Sequence, residues 1–419
     1  MKIEVHLLQS FPPANLNRDD TGQPKDCEFG GVRRGRISSQ ALKRRMRTSG
    51  VFERAFENQL GKRTKRAHQE VAARLATPAY GAHSDETAHD LAVAVLDTML
   101  GWDEAKKATK VLWFVGADEL DRLAQITNEH AETISAAVHE RRQLPALEGK
   151  PSKAEKAKHD AADKAVRDAA SAVRDAFKKE RGDYVRSVDV ALFGRMLAEV
   201  PGMNIDAAAQ VAHAISTHAL DQDFDYYTAV DDLNSDEQTG AGMVGTTGFN
   251  ASCYYRYALV DVDQLARNMT DGAEPSQADR QLAADAVEAF VEAAYTAIPT
   301  GKQNAFAAQT PPSLVMATVR TADGMPWSLA NAFVDPVRAN GQGLVAGSVQ
   351  KLAAHWDALV DMYGLEEGAR AFVKVAQDVG ESGPSGDGVE AVGNARAVVS
   401  GVGDALREWA ASAPARASV

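Results

Sequence analysis

The sequence predicts an α+β protein in which an antiparallel sheet carries a long helical insertion and a protruding β-hairpin. Three observations predict this fold class. Residues 2–9 alternate apolar and polar side chains, which is typical of a half-buried strand. Residues 51–184 are dense in Ala and mixed charges and sparse in Gly and Pro, which favours helix. Two apolar runs, 224–230 and 249–262, flank an acidic stretch with a Gly-rich far end, as the strands of a long hairpin flank its tip.

The other elements follow in order along the chain. The Pro, Asn, Asp and Gly residues of 11–36 indicate a loop, and Ser38 or Ser39 is a suitable N-cap for the helix after it. Residues 185–197 alternate before a Gly-Arg-Met turn, which predicts a strand. The later segments are predicted as helix (206–217, 276–298 and 345–376), strand (313–320), Gly-rich linker (381–394) and a short amphipathic helix (402–411). Without the insertion and the hairpin, this order leaves an α+β sandwich with an antiparallel sheet.

Length and composition exclude a wholly disordered chain, a collagen-like chain and a small disulfide scaffold. The 419 residues suffice for two or three domains, and 45% apolar with 25% charged residues is ordinary globular composition. No apolar run is long enough to span a membrane, and the N-terminus lacks the pattern of a secretory signal. Cys27 and Cys253 lie far apart and outside any C-x-x-C pattern. We therefore expect free thiols in a reduced, cytoplasmic protein.

Charge is distributed unevenly. The net charge of −12 alone argues against a nucleic-acid partner, but residues 33–47 hold seven basic residues and no acidic one. Residues 221–237 hold seven acidic residues and no basic one. Arg offers a planar fork to phosphate, and hydroxyls and free amides at a helix start bind phosphate oxygens. The basic run is therefore predicted to clamp a phosphate backbone, with a solvated helix start as the alternative.

Other chemistry has weaker support. His213 and His218 are five residues apart, a poor spacing for two metal ligands on one helix. An acidic cluster in the predicted hairpin can hold Mg²⁺ for phosphodiester cleavage, although such runs more often are solvated or dock a basic partner; its members are Asp221, Asp223, Asp225, Asp231 and Asp232. No phosphate-loop, dinucleotide or serine-hydrolase motif is present, so we expect no cofactor and no metal. The Lys-rich stretch 150–181 is either a solvated helix or a basic face in contact with nucleic acid.

Short blocks that follow one another in a fixed order along nearly the whole chain carry a resemblance to a known family. The blocks are 17–20, 25–26, 29–31, 33–34, 36–40, 42–44, 188–192, 194–196, 213–215, 217–218, 228–233, 255–258, 302–303 and 328–333. No single block is specific, but together they resemble the CasC family, the repeated backbone subunit of Cascade, the type I-E CRISPR surveillance complex.

The resemblance implies a fold shaped like a right hand. An RRM-like (ferredoxin-like) palm would carry helical fingers and a β-hairpin thumb, and copies would stack along a guide RNA. The implied boundaries are palm at 1–50, 186–219 and 251–380, fingers at 51–185, thumb at 220–250, and a linker with a C-terminal helix at 381–419.

The resemblance also implies residue roles. Guide-backbone contacts would come from Arg18, Lys25, Ser38, Gln40, Lys43, Arg44 and Lys302. Met196 and Tyr227 would form a wedge that brackets a base turned out of line, although the family often has Phe at the thumb position. The fingers match poorly, so no residue is assigned there.

By this resemblance the protein is a non-enzymatic scaffold. Its implied partners are crRNA, target DNA, further copies of itself, other Cascade subunits and a helicase-nuclease that the complex recruits. Two alternatives stay open. One is a metal-dependent ribonuclease of related fold that uses Asp231 or Asp232 of the thumb. The other is a helical adaptor without nucleic acid.

Overall fold

The computed structural model describes residues 1–57, 59–146, 152–179, 187–198, 200–229, 243–270, 274–339, 341 and 343–412. These residues belong to two compact units. We call the first the sheet unit; it comprises Met1–Ala55, Ala209–Asp263 and Arg280–Val419. We call the second the helical unit; it comprises Phe56–Ala208 and Gln264–Asp279.

The sheet unit is built on one large, mostly antiparallel sheet. Its strands are β1 (Lys2–Ala14), β2 (Asp26–Phe29), β3 (Val32–Ile37), β8 (Ala209–Val211), β9 (Ala214–Ser216), β10 (Asp223–Ala229), β11 (Met243–Asp261), β12 (Leu314–Arg320), β13 (Arg370–Val375) and β14 (Val389–Ala391). Their order is β14-β13-β12-β1-β11-β9-β3-β2, with β8 and β10 also pairing with β11. The β13–β14 pair is parallel. The predicted α+β class and antiparallel sheet are confirmed.

Helices and short turns complete the chain. Those that fall wholly or partly in the sheet unit are α1 (Ser39–Arg47), α2 (Gly50–Ala55), α9 (Val262–Asn268), α10 (Gln277–Thr296), α11 (Gln303–Phe306), α12 (Leu344–Tyr363) and α13 (Ala395–Ala411). The helical unit holds α3 (Ala67–Leu75), α4 (Asp85–Leu100), α5 (Ala117–Glu129), α6 (Ala131–Arg142), α7 (Lys153–Lys179) and α8 (Val188–Phe193), with the short strands β4 (Lys62–Thr64), β5 (Trp102–Asp103), β6 (Ala108–Thr109) and β7 (Trp113–Val115). Among the described residues, every helix is too short or too polar to cross a membrane.

Strand β1 lies in the middle of the sheet and is buried on both faces. Leu8 packs in a core with Trp327 and Trp356, under α12 and the 3₁₀ turn Leu329–Phe333. The prediction of a half-buried strand is therefore wrong for its polar face, because Glu4 and His6 are both fully buried. They are tolerated there because each has polar partners.

These partners form a buried network beside β1. Glu4 forms an ion pair with the buried Arg320. It also accepts hydrogen bonds from the Tyr257 hydroxyl at 2.8 Å and from the Trp327 amide at 2.6 Å. Tyr255 lies 2.9 Å from His6 Nδ1. The alternation of apolar and polar side chains along β1 distinguishes the two faces of the strand, but it does not show which elements cover each face.

Several element predictions are corrected. Residues 11–36 are not one loop, because β1 runs on to Ala14 and β2 and β3 form a hairpin whose tip, Gly30-Gly31, has positive φ values of 62° and 71°. Within the stretch 185–197 that is predicted as a strand, Val188–Phe193 forms the helix α8. The polar Asp189 is buried there with its apolar neighbours because the Gly61 amide donates to its carboxylate at 2.7 Å, so the alternation does not mark an exposed face. The helix predicted at 206–217 is β8 and β9, because pairing with β11 overrides local propensity.

The C-terminal third also differs from expectation. The helix predicted at 345–376 ends at Tyr363, where Gly364 takes a positive φ of 68°, and β13 follows. The predicted linker contains β14, and α13 begins earlier than expected because Asn394 caps it. The helix at 276–298, the strand at 313–320 and the β10–β11 hairpin are confirmed.

Candidate nucleic-acid interface

The start of α1 is fixed by three polar contacts. Ser38 is its N-cap, as predicted, and its Oγ accepts a hydrogen bond from the Ala41 amide at 3.3 Å. The Ser38 amide donates to Asn17 Oδ1 at 2.8 Å. The Ser39 amide donates to His213 Nδ1 at 3.0 Å. The helix start is therefore tied to the loop after β1 and to the turn between β8 and β9.

Some basic side chains of residues 33–47 form contacts within the fold, and others remain available to bind a phosphate. Arg34 is fully buried, and its guanidinium donates to the carbonyl oxygens of Ser216 and Phe333 at 3.2 and 2.8 Å. Arg45 Nε donates to the Ile298 carbonyl oxygen at 2.9 Å. These two arginines hold the sheet unit together, so charge density in the sequence overstates what can reach a phosphate.

Two more arginines of the run contact the β2 strand. Arg33 forms an ion pair with Asp26 at 2.5 Å. Arg36 Nε donates to the Asp26 carbonyl oxygen at 3.1 Å. Arg36 also places a terminal nitrogen 3.4 Å from His213 Nδ1, so it lies beside the α1 start.

Gln40, Lys43 and Arg44 lie on one face of α1, because their spacing of three and four residues is one helical turn. Within the described part of the chain, neither Lys43 nor Arg44 has an ion pair or a side-chain hydrogen bond. Burial lowers the pKa of Lys43, with no carboxylate nearby to oppose it. An unpaired, half-buried cation next to an exposed one is suited to receive an anion.

Arg18 and Lys25 lie on the loop that follows β1. Arg18 is exposed and pairs through its backbone with Pro24, while the Lys25 amide donates to the Asn17 carbonyl oxygen at 2.8 Å. Asn15 fastens this loop by donating to the carbonyl oxygens of Gly22 and Gly248 at 3.1 and 2.9 Å. The loop therefore joins the α1 start to the base of the β10–β11 hairpin.

Lys302 is brought to the same loop by a close backbone approach. A Cβ on Gly301 would lie only 2.2 Å from the Leu16 carbonyl oxygen, so the residue before Lys302 must be glycine. Lys302 itself has a positive φ of 51°. The predicted contact residues Arg18, Lys25, Ser38 and Lys302 thus lie on backbone segments that all touch residues 15–17.

The hairpin positions Tyr227 against a glycine. Tyr227 on β10 lies opposite Gly245 on β11, and a Cβ on Gly245 would be 2.4 Å from the tyrosine ring. The ring therefore lies over the bare backbone of its partner strand. Tyr227 is 41% exposed, and its neighbours Phe224 and Tyr226 are more exposed still. Asp231 and Asp232 lie outside the described residues.

Met196 belongs to the helical unit and is 85% exposed. Arg195 on one side of it pairs through its backbone with Ile205, at 2.9 and 2.8 Å. On the other side, the Leu197 amide donates to Asn204 Oδ1 at 2.6 Å. Met196 is thus held outward between two fixed residues, and core packing does not explain it.

The sequence offers His213 as a poor candidate metal ligand and as part of the CasC-like block 213–215, with no contact role assigned to it. Among the described residues, no group of three or more His, Cys, Asp or Glu side chains is placed to hold a metal ion. His213 instead caps α1, and burial followed by the nearby charges of Arg36 and Lys25 lowers its pKa. Sequence reasoning missed the contact of His213 with the start of α1, because Ser39 and the β8–β9 turn are far apart in the chain.

A family model described as CT1975-like protein matches residues 3–392. The chain belongs to the CT1975-like protein family. It is similar to a solved chain titled "CRISPR RNA-guided surveillance complex, pre-nicking", with 29% identity, a TM-score of 0.75, and coverage of 97% of this chain and 100% of that one. A second, titled "CRISPR RNA-guided surveillance complex", has 24% identity, a TM-score of 0.64 and the same coverage, and supports the fold alone. No curated protein matches this CT1975-like chain.

Proposed function

We propose that this protein binds a guide RNA along its phosphates and repeats along it to form the helical backbone of a complex that recognises double-stranded DNA by base pairing. The chain is a Cas7-family backbone subunit of a CRISPR RNA-guided surveillance complex. The observation that carries the binding mode is the set of cations around residues 15–17 and on α1. Arg18, Lys43 and Arg44 have no carboxylate partner within the described ranges.

Phosphate contacts suit this task. A subunit that must accept any guide sequence has to hold the RNA backbone and leave base edges free to pair with target DNA. Lys and Arg do this without reading sequence, and their contacts weaken with salt. We assign the seven residues Arg18, Lys25, Ser38, Gln40, Lys43, Arg44 and Lys302 to this surface. The Ser38 Oγ accepts the Ala41 amide at the start of α1, and its hydroxyl proton remains to donate to a phosphate oxygen.

The hand-shaped architecture is part of the proposal. The sheet unit corresponds to an RRM-like palm, the helical unit to the fingers, and the β10–β11 hairpin to the thumb of a type I-E subunit. The boundaries at 50, 185, 219, 250 and 380 stay predictions. Met196 and Tyr227 are assigned to the wedge because both are exposed apolar side chains on fixed backbone.

Head-to-tail assembly follows from charge. The basic run at 33–47 and the acidic run at 221–237 lie on one chain, which favours a heterologous contact between copies and an open helix. The further partners are crRNA, target DNA, other subunits of the complex and a recruited helicase-nuclease, all in the cytoplasm.

The first experiment asks whether the protein purifies with RNA of uniform length and forms filaments on it. We expect a high ratio of absorbance at 260 to 280 nm and a length-dependent particle in light scattering. A protein that stays monomeric and free of RNA with guide RNA in excess contradicts the proposal and supports the adaptor.

A second experiment separates a scaffold from a ribonuclease. The assembled complex is incubated with complementary RNA and Mg²⁺. We expect the RNA to stay intact, because we propose no catalytic residue. Cleavage that is lost in the Asp231→Asn or Asp232→Asn variant would instead establish the metal-dependent ribonuclease.

A further inference from the structure

His213 is an exposed side chain beside Ser39 and Lys25, and it has no role in the residue set assigned above. It follows β8 and faces the first turn of α1. Its Nδ1 accepts the Ser39 amide at 3.0 Å and lies 3.4 Å from a terminal nitrogen of Arg36. Two donors therefore converge on one ring nitrogen.

This geometry fixes the tautomer. A backbone amide and a guanidinium can only donate, so Nδ1 must carry a lone pair rather than a proton. The proton of the neutral ring is then on Nε2. Among the residues that the structure describes, Nε2 has no hydrogen-bond partner. His213 thus presents a neutral N–H donor at the protein surface.

The surroundings favour an anionic acceptor for that donor. Lys25 and Arg36 are the charged groups that act on the ring, and both are positive. The carboxylate of Asp26, on the strand next to Arg36, is already paired with Arg33 at 2.5 Å. Ser39 on the facing helix is neutral, and that helix has no acidic residue in its first turn. A phosphate oxygen accepts hydrogen bonds only and carries the opposite charge.

We propose that His213 is a further guide-contacting residue, which donates Nε2–H to a phosphate oxygen of the RNA while Nδ1 holds the first amide of α1. The inference rests on the proposed function and adds one neutral donor to the surface assigned above. The same imidazole then couples the position of α1, and so of Lys43, to the position of one phosphate.

Two substitutions separate the two ring nitrogens. In His213→Asn the amide oxygen replaces Nδ1 as acceptor for Ser39, but the side-chain NH₂ is too short to reach the position of Nε2. In His213→Gln the longer amide reaches the position of Nε2 and keeps a donor there. His355→Asn on α12 is the matched control, because it makes the same change elsewhere in the sheet unit. Thermal unfolding of each free variant checks that the fold is kept.

Binding is measured by fluorescence anisotropy on labelled oligouridylate over a series of salt concentrations. We expect His213→Asn to bind about tenfold more weakly than wild type, His213→Gln to recover most of that loss, and His355→Asn to bind as wild type. The slope of log affinity against log salt should be unchanged in His213→Asn at pH 8, since a neutral donor releases no counterion.

The failures are distinguishable. If the wild-type protein does not bind the RNA, the proposed function fails. If wild type binds and His213→Asn binds equally well, His213 is only a cap and the inference alone is wrong. A salt slope shallower by about one in His213→Asn also overturns it, because the ring would then be acting as a cation.

Discussion

Arg195 donates to Glu119 at 2.8 Å inside the helical unit, and the residue after it in the chain, Met196, points into solvent. The Arg195 guanidinium also donates to the carbonyl oxygens of Met203 and Phe114 at 2.8 and 2.9 Å. Glu119 in turn accepts the Gly116 amide at 2.9 Å and so caps α5. One buried ion pair therefore fixes both a helix start and the exposed methionine.

This pair predicts a large loss of stability when it is broken. Arg195→Met leaves the Glu119 carboxylate buried without its partner, which costs about 3–5 kcal/mol. Urea unfolding of the helical unit should show this loss. Arg141→Met is the matched control, because its ion pair with Asp163 is on the surface and should contribute less than about 1 kcal/mol. Equal losses for the two variants would contradict the structural role of Arg195.

The wedge is tested by a double substitution, Met196→Ala with Tyr227→Ala. Both side chains are exposed, so the free energy of unfolding should change by less than about 1 kcal/mol rather than by the roughly 2–5 kcal/mol typical of core truncations. On RNA, turning a base out of its stack costs a few kcal/mol, and an apolar group must fill the gap. The periodic hyper-reactivity of guide bases to chemical probing should therefore disappear. Met362→Ala, an exposed methionine on α12, is the control and should keep the pattern.

Lys43→Glu with Arg44→Glu places two negative charges where we expect phosphates. RNA affinity should fall for all guide sequences alike, and its salt dependence should become shallower by about two phosphate contacts. Binding is measured on several guides of different sequence over a salt series. Lys374→Glu with Arg396→Glu makes the same change in net charge on β13 and α13 and should have little effect. A loss restricted to particular guides would indicate base recognition instead.

Gly301→Ala tests whether the Lys302 loop depends on a close backbone contact. The new Cβ would lie 2.2 Å from the Leu16 carbonyl oxygen, so the loop has to move away. We expect weaker RNA binding together with a lower melting temperature. Gly393→Ala is the control, since its Cβ would meet nothing within 4 Å and its φ is not positive. Unchanged binding in Gly301→Ala would show that Lys302 does not need this position.

The sequence predicted local features better than long-range ones. The N-cap of α1, predicted at Ser38 or Ser39 and found at Ser38, and the predicted strands of the hairpin depend on neighbouring residues. The roles of Arg34 and Arg45 were not, because their partners are carbonyl oxygens about 180 to 300 residues away in the chain. The same applies to β8 and β9, which become strands only because β11 pairs with them. For the candidate surface, the sequence shows which residue types are present, but it does not show which of the cations remain unpaired.

The pH dependence of stability should carry a signature of His6. This side chain is fully buried, its Nδ1 lies 2.9 Å from the Tyr255 hydroxyl, and its Nε2 has no partner in the described residues. Burial, and then the charge of Arg320, lower its pKa to about 3. In the unfolded chain the pKa of histidine is about 6.5.

The sign of the effect follows from proton uptake. Below about pH 6.5 the unfolded chain takes up a proton that the folded chain refuses until about pH 3, so stability is complete above pH 6.5 and falls as the pH drops. By pH 5 the loss from this residue is about 2 kcal/mol. The buried Glu4, whose pKa is raised by burial, changes stability with pH in the opposite direction. Its contribution cancels when wild type is compared with the His6→Leu variant, because both proteins contain Glu4. Hydrogen exchange of the β1 amides, corrected for intrinsic rates, should show wild type losing about 2 kcal/mol more than His6→Leu between pH 7 and pH 5. Equal losses would mean that His6 accepts a proton in the folded protein.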